Sequence, residues 1–489
     1  MNQQTLEKYL WGAATFLRGH IDAGDYKQFI FPLLFFKRIC DVYDEEYADA
    51  LKESDGDTEY AELPSFHRFH IPEGAHWNAV REVTVNLGVA IQDAMRAIEK
   101  ANPDTLYGVF GDANWSNKDR LSDPTLVDLL EHFSAHVLNT ANVPDDKLGD
   151  AYEYLIKQFA DDSGHTAAEF YTNRTVVRLM TLIMDPKPGE SVYDPTCGSG
   201  GLLLNCALQL KKAGKEYRSL KLYGQEINLI TSAIARMNMF MHGIEEFNVA
   251  RGNTLSEPAF LANDTLKTFN VVLANPPYSI KAWDRTAFEN DPWGRNLWGT
   301  PPQGCADYAF QQHIQKSLDP KNGRSISLWP HGILFRDKEA TMRQQMIEED
   351  AVECVIGLGP NLFYNSPMEA CLLITNTKKP KARRGKVLII NAVKEVRQDK
   401  NMGFLEESHI QKIFGAYRAF SNQDDFAVVA TLKEIAAEKY NLAINRYIRP
   451  DSHDATVDDF AGALGAWQES SSALSESMDQ LFKTLEASK

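Results

Sequence analysis

No two of the six cysteines form a Cys-x-x-Cys pair: Cys40, Cys197, Cys206, Cys305, Cys354 and Cys371 are scattered along the chain. That spacing excludes a disulfide framework or a thiolate zinc cluster as the organising principle and suits a reduced, cytoplasmic setting. Long apolar runs are also missing. The most apolar stretch, FIFPLLFF at 29–36, falls far short of the ~20 residues a membrane span needs, so a buried helix is expected there and no membrane partner. The opening MNQQTLEKYL lacks the apolar core of a secretion signal. Positive charge is in deficit, with 51 Lys and Arg against 67 Asp and Glu and a formal net charge of -16. This excludes a protein that grips nucleic acid by bulk electrostatics alone; a local basic patch or a basic partner must do that work. His67, His70 and His76 lie close together, but no cysteine or paired acid completes a ligand set, and no metal is expected.

A chain of 489 residues is long enough for two or three domains. Residues 1–145 read as a helical N-terminal domain, with Leu6, Leu10, Ala13 and Leu17 at helical spacing. From 146 to 420 strands alternate with helices. The expected strands are 191–194, 220–227, 247–252, 271–275, 325–330, 353–358, 371–375 and 387–392, a rhythm that implies a mostly parallel, doubly wound α/β sheet. The basic segment NTKKPKARRGK (376–386) reads as a hairpin tip, either a solvated turn or a phosphate-contacting edge. Residues 421–489 read as a helical segment. There Val457, Phe460, Leu464, Trp467, Leu474, Met478, Leu481 and Leu485 follow steps of three and four, with Ser471 at the one polar position. That is a heptad seam, suited to docking a partner helix.

The chemistry concentrates at strand ends. SVYDPTCGSGGLLLNCAL follows a strand and opens a helix. Asp194 ends the strand, and Gly198, Gly200 and Gly201 allow a tight turn and close approach of a ligand. No Gly-Lys-Ser/Thr follows, so this is not a phosphate loop; a nucleoside without a triphosphate fits better. Glu226 closes the next strand, where an acid can accept hydrogen bonds from both ribose hydroxyls. Asn253, after the third, is placed to meet the edge of an adenine ring. The fourth strand runs VVLANPPYSI. Pro276 and Pro277 stiffen the turn and remove two backbone donors. What remains are two acceptors, the Asn275 side-chain oxygen and the Pro276 carbonyl, beside the flat ring of Tyr278. Together they suit an amino group on a planar π system.

DPTCGSGG followed by NPPY resembles the S-adenosylmethionine-dependent amino-methyltransferases, which use a Rossmann-like sheet with one antiparallel strand. AEFYTNRTVVRLM (168–180) resembles the segment that wraps the methionine end of the cofactor, giving the motif order of the gamma class of DNA adenine N6 methyltransferases. ADYAFQQHI (306–314), SLWPHGILFR (327–336), GPNLFY (359–364) and YNLAINRYI (440–448) are similar to the modification subunit of type I restriction-modification systems. The resemblance spans essentially the whole chain. It implies S-adenosylmethionine bound by Glu169, Phe170, Tyr171, Thr172, Asn173 and Arg174, by Asp194, Thr196, Cys197, Gly198, Ser199, Gly200 and Gly201, and by Glu226 and Asn253. It implies methyl transfer to N6 of adenine in duplex DNA at Asn275, Pro276, Pro277 and Tyr278. The target base, flipped from the helix, would stack on Tyr278 and Phe363. The implied partners are a specificity subunit, a second modification subunit and a restriction subunit. The rival readings are a protein glutamine methyltransferase, which shares NPPY because glutamine is also a planar amide, and a non-catalytic scaffold with the same fold.

Overall fold

The computed structural model describes residues 1–162, 172–362, 368–399 and 402–448, with further positions of a C-terminal helix between 462 and 478. Its centre is a nine-stranded sheet. In chain order the strands are β1 (Ser191–Asp194), β2 (Lys221–Glu226), β3 (Phe247–Arg251), β4 (Val271–Ala274), β5 (Arg324–Pro330), β6 (Val352–Leu358), β7 (Ala370–Asn376), β8 (Lys386–Ala392) and β9 (Ala427–Thr431). Their order across the sheet is β9-β8-β6-β7-β5-β4-β1-β2-β3. The first eight match the strands expected from the apolar runs. The expected antiparallel strand is β7, which opposes both β5 and β6; a second, β9, opposes β8 at the edge.

Alternation along each strand feeds two apolar layers. Val271, Leu273, Ile326, Leu328, Leu372 and Ile374 face one layer, which includes the helices Arg174–Met184 and Gly201–Lys212. Val272, Ala274, Trp329, Cys371 and Leu373 face the other, which includes the helix Asp307–Lys316. Burial on both faces is why the strands read as unbroken apolar runs.

The N-terminal region is helical, as its periodicity implies. FIFPLLFF lies inside the helix Lys27–Glu53 and is buried throughout. Its aromatics lock the domains together: Phe31 packs on Tyr152 at 4.7 Å between ring centres, and Phe35 stacks on Phe240 at 5.7 Å. Tyr152 belongs to the helix Asp145–Asp162 and Phe240 to the helix Leu229–Met241. Two of the three histidines, His67 and His76, flank the Tyr43 ring. His67 stacks on Tyr43, His76 pairs with Asp44 at 3.0 Å, and His70 is exposed.

The basic tip between β7 and β8 sits beside the start of β5, since Asn376 pairs with Arg324. That is the sheet edge opposite the strand ends carrying Asp194 and Asn275. Its cations serve the fold: Lys379 bonds Asp350 at 2.5 Å and Arg383 bonds Glu353 at 2.8 Å. Lys378, Lys381, Arg384 and Lys386 of the tip are exposed. Among the described residues no helix is long and apolar enough to cross a membrane.

Gly149, in the helix Asp145–Asp162, lies so close to the buried His242 that a Cβ there would penetrate its ring. Gly149→Ala is therefore expected to destabilise the chain by about 1–3 kcal/mol, the usual range for overpacking. Urea denaturation of the two proteins checks this.

Candidate active site

The chain runs outward from β1 to β2 to β3, then returns to place β4 on the other side of β1. Such a reversal opens a crevice at the carboxyl ends of the two central strands. A pocket lies there, lined by Glu153, Thr172, Arg174, Val177, Asp194, Thr196, Cys197, Gly198, Ser199, Gly201, Leu202, Asn205 and Asn275. The glycine motif, the upstream segment and the fourth strand end thus meet in one cavity.

The glycine turn is built around Asp194 and Glu226. Asp194 accepts from the Thr196 backbone N–H at 3.0 Å. Glu226 accepts from the Gly198 N–H at 3.1 Å and from the Asn228 N–H at 2.8 Å. Its carboxylate pins the turn from the neighbouring strand. Gly200 has φ +82° and lies against Met239 and Ala235, so a side chain there would be strained and crowded. Gly200 caps the helix Gly201–Lys212 rather than lining the pocket. A Cβ on Gly201 would meet open space.

Burial pushes the Asp194 carboxyl up to about 8, and the nearby Glu226 charge adds to the shift. Burial also drives the Cys197 thiol well above its ordinary value, so it is a neutral wall of the pocket and not a nucleophile. The buried Thr196 hydroxyl has no partner among the described residues. A wall that combines an orphan hydroxyl, a desolvated carboxyl and backbone donors fits a polar ligand with a positively charged centre.

Three upstream residues are described, and they divide. Thr172 and Arg174 line the pocket. Arg174 pairs with Glu153 at 2.9 Å. Asn173 does not line it: its oxygen caps the helix Arg174–Met184 through the Thr175 N–H at 3.0 Å, and its nitrogen donates to the Gly403 carbonyl at 2.8 Å. Glu169, Phe170, Tyr171 and Phe363 lie outside the described residues. Asn253 is beside the pocket and not in its wall; its side chain closes a turn onto the Leu255 N–H at 3.0 Å.

At the end of β4 the Asn275 amide is held from both sides. Its nitrogen donates to the Thr172 hydroxyl at 3.0 Å, and its oxygen accepts from the Tyr278 hydroxyl. Pro276 is buried and Pro277 and Tyr278 are half-buried. The next residue, Ser279, has φ +51° and donates its N–H to Asp307 at 2.7 Å. Asp307 pairs with Arg336, which also bonds Glu339 at 2.8 Å. Cys305, Asp307 and Glu339 are close enough to hold a metal ion, and both carboxylates bond the one Arg336 guanidinium. This network fixes the outgoing end of the Asn-Pro-Pro-Tyr turn.

The sequence reading missed Glu153 and Arg295. Glu153 comes from the helix Asp145–Asp162, ahead of every recognisable motif, and also accepts from Asn238 at 3.3 Å. Arg295 is buried, pairs with Asp291 at 2.6 Å, and donates to the Thr254 and Leu255 carbonyls at 2.8 and 2.7 Å. It ties the long loop after Tyr278 to the turn that carries Asn253. Arg295 stands beside tryptophan in DPWGRNLW, a composition that reads equally well as an exposed loop.

Comparison with known proteins places this geometry. The N-6 DNA Methylase family model matches residues 143–455, and a model for the HsdM N-terminal domain matches 6–133. The chain is 28% identical over 475 residues to the type I restriction enzyme MjaIX methylase subunit of Methanocaldococcus jannaschii, covering 90% of this chain and 83% of that protein. It is 30% identical to the HindI methylase subunit of Haemophilus influenzae, over 77% of this chain and 89% of that one. The crystal structure of a type I restriction-modification methyltransferase subunit from Streptococcus thermophilus superposes with a TM-score of 0.79 at 31% identity, covering 92% of this chain and all of the other.

A cationic ligand favours ionised Asp194, whose proton is retained at neutral pH in the ligand-free pocket. Affinity for a sulfonium-bearing ligand is therefore expected to rise with pH up to about 8 and then level, with a proton released on binding. The same raised carboxyl makes the ligand-free fold lose stability as pH climbs from the ordinary carboxylate range through about 8. Calorimetric titration at several pH values checks the affinity, and Asp194→Asn should remove this component of its pH dependence.

Proposed function

The chain belongs to the N-6 DNA methylase family, and we propose that the pocket between β1 and β4 carries the family's reaction through the residues assigned below. It is an adenine-specific DNA methyltransferase subunit of the type I restriction-modification class, and S-adenosylmethionine is its cofactor. It acts on DNA within a complex. The match of residues 6–133 to the HsdM N-terminal domain favours this over the protein glutamine methyltransferase reading, which needs no such domain.

The observation that carries the residue assignment is a juxtaposition: Asn275 and Asp194 line one pocket. When bound, the cofactor supplies a methyl group on a positively charged sulfur. Asp194, Glu153 and the Thr196 hydroxyl offer negative or accepting partners to the charged end of such a molecule. Glu226 takes the ribose, and the turn at Asn253 takes the adenine edge. The upstream residues Glu169, Phe170 and Tyr171 are assigned to the methionine end, together with Thr172 and Arg174.

At the other wall, Asn275 and the Pro276 carbonyl receive the two N–H bonds of the target amine. The adenine lone pair is delocalised into the ring, so the free amine is a poor nucleophile. Two acceptors fixed at the strand end favour a pyramidal nitrogen and stabilise the positive charge that develops on it. Alignment with the methyl donor does the rest. The Tyr278 hydroxyl, which holds the Asn275 oxygen in the ligand-free chain, yields that acceptor to the amine. Its ring then stacks on the base, with Phe363 assigned to the same task. Reaching the pocket requires flipping the base out of the duplex at a cost of a few kcal/mol.

A formal charge of -16 leaves DNA selection to a partner, and we assign it to a specificity subunit, with a second modification subunit and a restriction subunit completing the assembly. The heptad seam is the docking element. Leu464, Trp467, Leu474 and Met478 are exposed on the C-terminal helix, Trp467 by 66%. Four large apolar side chains at seam spacing are costly in water and gain by burial against another helix.

Two outcomes follow. Asn275→Ala should lower turnover of the assembled enzyme by about 10²–10³ while cofactor binding persists; a labelled-methyl assay on DNA reads the first and calorimetry the second. Truncation before Val457 should weaken copurification with the specificity subunit and leave cofactor affinity unchanged.

A further inference from the structure

An amide side chain has two unlike ends, and only its oxygen can accept from an amine. A half-turn of the Asn275 amide would point N–H bonds at the target's own N–H bonds and abolish the site. Within the Asn-Pro-Pro-Tyr turn the Tyr278 hydroxyl can donate to one end or accept from the other, so it does not by itself distinguish the two orientations. A second contact comes from 103 residues away, where the Thr172 hydroxyl accepts from the Asn275 nitrogen at 3.0 Å.

We propose that Thr172 is a positioning residue that sets which end of the Asn275 amide faces the target amine. The inference rests on the role given to Asn275 above and extends it. Two features support it. First, Thr172 is rigidly mounted. It precedes Asn173, which caps the helix Arg174–Met184 and bonds the Gly403 carbonyl, while the Thr175 hydroxyl accepts from the Leu405 N–H at 2.9 Å. Second, Thr172 lines the cofactor pocket together with Asn275. A hydroxyl is held to the acceptor role when its own proton has another acceptor. An anionic group of a ligand held in this pocket would be such an acceptor, and the carboxylate of S-adenosylmethionine would supply one. Cofactor binding and correct presentation of the amide oxygen are then linked through a single hydroxyl.

The test uses the assembled complex and the variants Thr172→Val and Thr172→Ser. Valine matches threonine in shape and cannot accept; serine retains the hydroxyl. At saturating cofactor, Thr172→Val should lower kcat by about ten-fold or more, and Thr172→Ser should restore it to within about three-fold. Cofactor affinity, measured separately by calorimetry, reports any lost ligand contact and should not account for the fall in kcat. Asn275→Asp supplies an independent check, because both ends of a carboxylate accept and there is nothing left to orient. In that background Thr172→Val should change kcat by less than about two-fold.

A normal kcat for Thr172→Val at saturating cofactor, or an equal loss in Thr172→Ser, overturns the inference. So does an equal fold loss from Thr172→Val whether it is made in the native chain or in the Asn275→Asp variant. Failure of the underlying reading looks different: Asn275→Ala itself would then turn over normally. Loss in Asn275→Ala with full activity in Thr172→Val sinks only the present inference.

Discussion

Parallel pairing of β4 with β1, Val192 beside Val271 and Tyr193 beside Val272, is the contact on which the site depends. It brings together two strand ends that the chain separates by two helices and two strands. One end carries the carboxyl of the glycine turn, the other the amide of the Asn-Pro-Pro-Tyr turn. Both strands are buried on both faces, so the register is set by two apolar layers at once. A slip of one residue would exchange Val271 and Leu273 with Val272 and Ala274 between those layers. The precision of the chemistry is therefore inherited from packing, and the loops have only to hold what the strands deliver.

The loops do this with charge in a place where charge is expensive. Asp307, Glu339 and Arg336 form a buried or half-buried cluster behind Ser279, and Arg295 with Asp291 forms another behind the Asn253 turn. Replacing buried ion pairs by apolar groups is often neutral or stabilising, so their presence needs a reason beyond stability. Each guanidinium here bonds a carboxylate and also reaches a loop that packs on the ligand crevice. Its planar fork gives directional contacts that apolar packing would not supply. Each network ties a loop beside the pocket to its neighbours.

Much of this was legible in the sequence because strands buried on both faces write themselves as apolar runs and because ligand chemistry collects at their carboxyl ends. Eight strands and the pocket residues Asp194, Gly198 and Asn275 were readable for that reason. β9 was not: AVVAT is short, follows a polar stretch and gains its identity only by pairing with β8. The basic tip 376–386 was ambiguous because its position depends on β7 running backwards, which places it at the edge away from the site. Asn173 looked like a ligand contact by its place in a motif, and its side chain instead makes a helix cap. The roles of short polar residues turn on which backbone groups happen to lie within reach, and those are tertiary facts.

Glu153 is the case with the widest consequence. It lies on a helix whose apolar side, with Leu148, Tyr152, Leu155 and Ile156, is buried in the core of the N-terminal helical domain. Its carboxylate nevertheless lines the pocket and pairs with Arg174. A helix packed into that core is thus also a wall of the pocket. Gly149, one turn earlier on the same helix, permits the close approach to His242 that sets the helix's depth.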